Sequence, residues 1–471
     1  MSEVVYPKQF LEYVETLSYA PSDEQMAIVD AVLTSGSNLL ISALAGAAKT
    51  STLKLLAYAL PKANMACLAF NKSIAMEMRA ELPRNCTSLT LHSLGMKVWG
   101  QKIGQRIRTD KSKMFGLLKD LIGSGMYSDD EYQELQEEFM FILNATSSAK
   151  NAGHLPDDFF DSLPEGTKVK RLMDDEDLIL SLDEKVSKLV ETVIIQLLND
   201  SAHLSMSGRI DFDDMVLFPS LFKCMYPIHS LILVDETQDL SALNHEMLAQ
   251  LYRKRIIAVG DQYQAIYQFR GAYEDGMEKM QKRFDMCELK LSTTFRCPQE
   301  IVDHVKWLTP HMKAFDKTPA GTVSTMAVWS ADDLPEQCTI LCRNNAPLLS
   351  TAIALLKAGR HPKVWGNDIA AGLIKTLESL GGRSLPRSSA KAKLSSWKEG
   401  RLARVKNKKP VEDRYECMRI FLDETETLGA AIDKMKSIFS APGQIDLMTC
   451  HKSKGHEFDH VYILNESLME N

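Results

Sequence analysis

Residues Leu231-Ile232-Leu233-Val234 run directly into Asp235-Glu236-Thr237-Gln238-Asp239. An apolar run without polar alternation predicts a strand buried on both faces of a parallel sheet. Acids at the C-terminal end of such a strand lie where open α/β sheets bind their ligands. There Asp235 is a candidate to hold Mg²⁺ and Glu236 to orient or deprotonate a water, the pairing that nucleoside triphosphate hydrolysis needs. Taken alone, the segment also reads as a strand that merely ends in a polar turn.

A second segment bears on that choice. Ala43-Leu44-Ala45-Gly46-Ala47-Ala48-Lys49-Thr50 follows a short predicted strand at 38–42 and precedes helical spacing from Lys49 onward. A phosphate loop needs small residues so that backbone N–H groups can approach the phosphates. It also needs a Lys to reach the β- and γ-phosphates and a hydroxyl for Mg²⁺. Ala45, Gly46, Ala47 and Ala48 are the candidate cradle, and Lys49, Thr50 and Ser51 the candidate side chains. The usual pattern GxxxxGK[ST] has glycine where this chain has Ala43 and Ala48. An alanine methyl resists positive φ and crowds a close phosphate.

Composition excludes little and permits much. The net charge is −7, so no global basic field advertises nucleic acid, although a local basic groove is compatible with it. The nine cysteines form no CxxC pair and are odd in number. This pattern fits a reduced compartment, the cytoplasm (or a host cytoplasm for a phage-encoded chain), better than a disulfide framework or a zinc site. The N-terminus carries acids and no long apolar core, so it does not read as a secretory signal. No window reaches the ~18 apolar residues of a membrane span.

Along the chain, a strand is predicted at 65–70 and a helix at 73–82. Residues 96–205 read as a mostly helical insertion with a loop-like patch at 147–164. Further strands are predicted at 231–234, 255–259 and 338–342. Residues 383–409 hold ten Lys and Arg against the single acid Glu399, with Trp397 among them. That stretch reads either as a backbone-binding surface with one stacking aromatic or as a solvated helix face.

Several segments then follow one another in a recognisable order: Asp23-Glu24-Gln25, Ala47-Ala48-Lys49-Thr50, Leu68-Ala69-Phe70-Asn71-Lys72 and Thr90-Leu91-His92-Ser93-Leu94-Gly95. Val234 to Asp239, Val259 to Ala272, Thr294-Phe295-Arg296 and Thr449 to Phe458 complete the series. Together they resemble the UvrD/Rep-like branch of superfamily 1 DNA helicases. The wording AFNKSIA and TLHSLG is closest to its F-box helicase-like and phage members. The likeness spans roughly residues 20–465.

This resemblance implies roles. Gln25 would read the adenine of ATP and Phe295 would stack on it. Lys49 and Thr50 would hold phosphates and Mg²⁺, with Asp235 as the metal's carboxylate and Glu236 activating water. Gln264 and Arg296 would sense the γ-phosphate, Glu457 would reach the ribose, and Gln238 would couple nucleotide state to the rest of the protein. Phe70, Asn71, His92, Tyr267, Phe269, Arg270, Thr449 and His451 would lie along single-stranded DNA, including strands at duplex junctions. The implied activity is an ATP-dependent helicase moving 3′-to-5′, with ATP between two lobes. Asp211-Phe212-Asp213-Asp214 reads as a structural turn or cap.

The match also departs from the family. The sequence ends at Asn471, 14 residues after Glu457, without the family's TRA-like arginine, and His456 stands where a Leu is usual. The expectation is therefore one half of a split helicase completed by a second polypeptide, or a shortened ATP- and DNA-binding module that hydrolyses poorly. Compensation by Arg343 or another residue is the third possibility.

The expected fold is α/β, two RecA-like P-loop lobes with parallel sheets, each interrupted by a mostly helical insertion. The expected divisions are 1–95 and 206–288 for lobe one around the insertion 96–205, then 289–368 and 441–471 for lobe two around the basic insertion 369–440.

Overall fold

The computed structural model describes residues 4–153, 184–222, 224–266, 273, 275–402 and 408–465. The chain forms two compact units, residues 1–176 with 188–324 and residues 177–187 with 325–471. The architecture is α/β with parallel sheets, as the sequence led us to expect.

The strands of the first unit are β1 (Asn38–Ala43), β2 (Met65–Leu68), β3 (Cys86–Leu89), β4 (Arg108–Thr109), β5 (Arg209–Ile210), β6 (Leu231–Val234), β7 (Ile256–Gly260), β8 (Met286–Leu291), β9 (Thr293–Thr294) and β10 (Lys313–Ala314). Six of them make one sheet in the order β3-β2-β6-β7-β1-β8, with every neighbouring pair parallel. The four apolar residues of β6 are all buried, because β2 and β7 flank the strand and helices cover the faces of such a sheet. Phe10, Ile28, Val29, Leu53, Leu56, Met65, Leu231, Leu233 and Val259 share one core.

Local signals set the helix starts. Ser22 and Gln25 form a capping box for the helix Asp23–Thr34, and Thr90 with Ser93 does the same for Leu91–Ile103. Gly95 lies where that helix crosses the helix Asp214–Leu221. A Cβ there would sit 1.8 Å from the Met215 carbonyl oxygen, so only glycine permits the contact.

The inserted region is helical over Lys113–Ile122, Asp129–Glu137, Phe139–Asn151 and Glu184–Met206, and the short parallel pair β4–β5 brackets it. The loop expected from 147 is instead helix as far as Asn151, since the apolar spacing of Phe141, Ile142, Ala145 and Ala149 continues to be buried. Residues 154–164 of that expectation lie outside the described residues. The division drawn at 95/96 falls inside the helix Leu91–Ile103, and the one at 288/289 inside β8. β8 is an edge strand with exposed Cys287, Glu288 and Lys290, so its alternation hid a membership that pairing with β1 decides.

In the second unit, β11 (Cys338–Cys342), β12 (Pro362–Val364), β13 (Ile445–Thr449) and β14 (Val461–Ile463) form a parallel sheet in the order β12-β13-β11-β14. Its core joins Ile340, Leu349, Phe421, Ile432 and Leu447. The basic stretch is largely helix, Arg387–Leu402 followed by Lys409–Asp423. Arg383 pairs with Asp433, Arg387 with Glu426 and Lys391 with Asp423. Trp397 packs against the core rather than standing out as a stacking aromatic. These partners favour the solvated-face reading; Arg404 and Lys406 lie outside the described residues.

Candidate functional site

The loop after β1 carries two left-handed residues, Gly46 at φ 71° and Ala48 at φ 56°. Gly46 is required by a close approach. Its carbonyl accepts the Phe295 N–H at 2.9 Å, and a Cβ would lie 2.5 Å from Thr294 Oγ1 and 2.6 Å from Arg296 Cβ. Ala48 corrects the sequence reading that a methyl would keep this position out of positive φ. Its backbone is left-handed (ψ 41°) and it caps the helix Lys49–Ala59, at a cost on the order of 1–2 kcal/mol. Ala45 and Ala47 complete the loop, and Lys49, Thr50 and Ser51 open the helix.

Opposite this helix start, β6 delivers its acids. Asp235 is 3% exposed. Burial first, and the adjacent Glu236 charge second, push its carboxyl up to about 7, while Lys49 and the Thr50 hydroxyl pull the other way. Glu236 is itself left-handed at φ 50°, and this turns its carboxylate toward Lys49, 3.8 Å away. Gln238 Nε2 donates to Glu236, and Gln238 Oε1 accepts the Asp261 N–H at 3.0 Å. Gln264 Nε2 donates to Asp261 Oδ2 at 2.8 Å. Lys49, Glu236, Gln238, Asp261 and Gln264 are thus one polar chain across the ends of β6 and β7. Burial raises the Asp261 carboxyl, with Lys49 opposing.

Mg²⁺ fits these residues. An octahedral ion shared with phosphates asks the protein for one carboxylate and one hydroxyl, and Asp235 and Thr50 supply them. Asp235 is a buried acid poorly matched by its present surroundings, which is what a bound cation would correct. Among the described residues no group of three or more His, Cys, Asp or Glu could hold a metal.

Gln25 is buried and committed. Its Oε1 accepts the Ser22 N–H at 3.0 Å and its Nε2 donates to Thr52 Oγ1 at 3.0 Å. Phe295 packs on Phe315 with ring centroids 4.9 Å apart, and Phe315 meets Tyr19 edge-on. Arg296 is exposed beside them. Glu24, to which no role was given, accepts from the Ser292 hydroxyl and from the Ser292 and Thr293 N–H groups. Burial opposes its charge, but these bonds prevail and hold its carboxyl below the usual range.

Among the expected DNA contacts, Phe70 and Asn71 end the β2 loop, and Asn71 Oδ1 accepts the Ile74 N–H at 2.9 Å as a helix cap. His92 stacks on Phe212 with centroids 3.9 Å apart and planes 22° off parallel. Burial lowers the His92 pKa to about 4, whereas Phe212 is 60% exposed. Tyr267, Phe269 and Arg270 lie outside the described residues. In the second unit Thr449 caps a short helix, and His451 sits 3.3 Å from Arg343, while Glu457 is exposed. The candidate phosphate-loop residues belong to the first unit.

Sequence reasoning missed Asp261, Thr294 and Phe212 as site residues. Asp261 carried a usable signal, since β7 repeats the β6 pattern of an apolar run ending in an acid. For Thr294 and Phe212 nothing in the local sequence announces what they touch.

Comparison with protein families matches the description UvrD/REP helicase N-terminal domain to residues 23–285, more than half of the 471 residues. F-box DNA helicase protein 1 of Schizosaccharomyces pombe is 24% identical over 96% of this chain and 54% of its own length. F-box DNA helicase 1 of Gallus gallus is 24% identical over 94% of this chain and 44% of its own. ATP-dependent DNA helicase Rep of Escherichia coli is 31% identical over 21% of this chain and 17% of its own. The chain spans about half the length of the two F-box relatives.

Proposed function

This chain belongs to the UvrD/REP helicase family, and from that premise we propose that it is an ATP-dependent DNA helicase that steps along single-stranded DNA and engages duplex junctions. The observation that carries the reading is the polar chain from Lys49 through Glu236 and Gln238 to Asp261 and Gln264. It sets a phosphate-seeking ammonium, a candidate water-orienting carboxylate and two amides in one connected array.

In this reading the loop amides and Lys49 take the phosphates of ATP, with Gln25 and Phe295 toward the base. Thr50 and Asp235 would hold Mg²⁺, which when bound would neutralise charge on the phosphate oxygens. Phosphates compete for the Lys49 ammonium, so Glu236 loses that partner and is left to orient water. Gln238 touches both Glu236 and the Asp261 backbone, so a shift of one carboxylate is transmitted to β7 and to Gln264. Arg296 is the planar donor for transferring phosphoryl oxygens. Phe70, Asn71 and the His92–Phe212 stack offer a sequence-tolerant face to bases. Movement 3′-to-5′, and the parts of Glu457, Thr449 and His451, enter from family likeness alone.

The test is ATP hydrolysis by the full chain with single-stranded DNA, with RNA and with neither. DNA-dependent turnover that Lys49→Ala and Glu236→Gln abolish is the expected result. No turnover, or equal stimulation by RNA, would sink the reading. Among the described residues no helix is long and apolar enough to cross a membrane.

A further inference from the structure

Two lysines that the proposed reaction does not use lie fully buried in the inserted helices. Lys113, on Lys113–Ile122, and Lys150, on Phe139–Asn151, are each 0% exposed. An ammonium is costly to bury unless its charge is matched and its donors are satisfied. Lys113 Nζ donates to the Ser201 carbonyl and the Ser205 hydroxyl, each at 2.8 Å, and to Asp214 Oδ2 at 2.5 Å. Lys150 Nζ donates to Asp214 Oδ1 at 2.8 Å and also to Asp211. Lysines from two inserted helices therefore grip both oxygens of one carboxylate.

The rest of that turn is tied as closely. The Asp211 N–H donates to Asp214 Oδ2 at 2.9 Å and the Asp214 N–H to Asp211 Oδ1 at 3.0 Å. Ser147 and Asn151, from the same helix as Lys150, donate to Asp213 at 2.6 and 3.2 Å. Burial works against the Asp214 charge, but Lys150 and Lys113 outweigh it and hold the carboxyl below the usual carboxylate range. Phe212 is the exposed residue of the 211–214 turn, with Asp213 half-buried beside it, and it lies flat on His92. Apolar groups in place of the buried ions would give packing alone at less cost. The ions add directional bonds to the turn.

We propose that Lys113 and Lys150 are positioning residues for single-stranded DNA: they fix the 211–214 turn so that Phe212 stays on His92 and turns its outer face to a base. The inserted helices are then part of the grip, because any shift of the Phe139–Asn151 helix moves Phe212. This rests on the reading of His92 as a DNA contact.

The experiment uses the full chain, an oligothymidylate carrying one 2-aminopurine, and a fluorescent ATP analogue. Phe212→Ala is expected to weaken oligonucleotide binding roughly tenfold, the loss of one stacked base, and to relieve 2-aminopurine quenching. Lys150→Met should do the same, leave analogue affinity unchanged, and cost nothing further in the Phe212→Ala background, as residues acting through one another are non-additive. Equal losses in both backgrounds, a parallel loss of analogue affinity, or no effect would overturn the proposal. Should Lys150→Met fail to fold, the double variant Ser147→Ala/Asn151→Ala, which removes the two neutral donors to Asp213 and one bond to the Ser147 carbonyl, applies the same non-additivity criterion. If Phe212→Ala itself changes neither signal, the DNA reading of this face fails, and the positioning proposal falls with it.

Discussion

Lys49 and Glu236 face one another at 3.8 Å, the first residue of the helix after β1 against a left-handed residue after β6. Neither strand places the pair by itself. The contact exists because β7 lies between the two strands, pairs with both and holds their C-terminal ends one strand apart.

Gln238→Ala should uncouple this array. It removes the donor to Glu236 and the acceptor of the Asp261 N–H, and an orphaned buried group costs about 1–3 kcal/mol. We expect ATP affinity to be kept while DNA-stimulated turnover falls roughly tenfold or more. Steady-state kinetics with separate nucleotide binding checks it; unchanged turnover would remove Gln238 from the coupling role.

Asp235 predicts a pH dependence of stability. Its folded pKa, about 7, lies above its unfolded value of ~3.9. The folded state therefore holds the extra proton between these values, and stability from this group is full at low pH and lost as pH rises through about 7. Asp235→Asn should raise the melting temperature of the ligand-free protein at pH ~8, with the gain shrinking toward pH ~5, since a tenfold change in proton affinity corresponds to ~1.4 kcal/mol. Melts across that range test it, and a gain independent of pH would contradict the assignment.

The loop after β1 gives opposite expectations for two neighbours. Gly46→Ala meets Thr294 and Arg296 at 2.5–2.6 Å in a positive-φ backbone and should destabilise by roughly 2 kcal/mol or more. Ala48→Gly relieves a left-handed alanine and should stabilise by up to ~1 kcal/mol after the extra unfolded-state entropy is counted. Urea titrations decide both. Destabilisation by Ala48→Gly would argue against the left-handed assignment.

His92 should stay neutral when DNA binds near neutral pH. Burial places its pKa at about 4, so this group contributes no change in single-strand affinity between pH ~6 and ~8 at fixed salt. Anisotropy titrations on His92→Gln and the unaltered chain should show the same pH slope over that range.

Lys49, Thr50, Asp235 and Glu236 stood out as candidates because phosphate chemistry restricts both residue type and local spacing, whereas Gln264 entered only through the family resemblance. The strands β1, β6 and β7 were legible because burial on both faces leaves a continuous apolar run. β8 was not, since an edge strand alternates with polar residues and its partner is remote in sequence. Trp397 and the basic residues around it were ambiguous for a related reason. Composition shows that charge is present but not that Asp423, Glu426 and Asp433 answer it.

The sequence by itself determined the fold class and marked out a candidate phosphate loop and the acids that end β6, the last two from residues within a few positions of one another. Tertiary structure decided that Ala48 is left-handed, that Gly46 must be glycine because Thr294 and Arg296 press on it, and that Gln238 joins Glu236 to Asp261. It also brought Lys113 and Lys150 onto Asp214 and Phe212 onto His92. Each of these is a contact between segments far apart in the chain, whose energy depends on distance and desolvation. Local residue order encodes neither until the strands have paired.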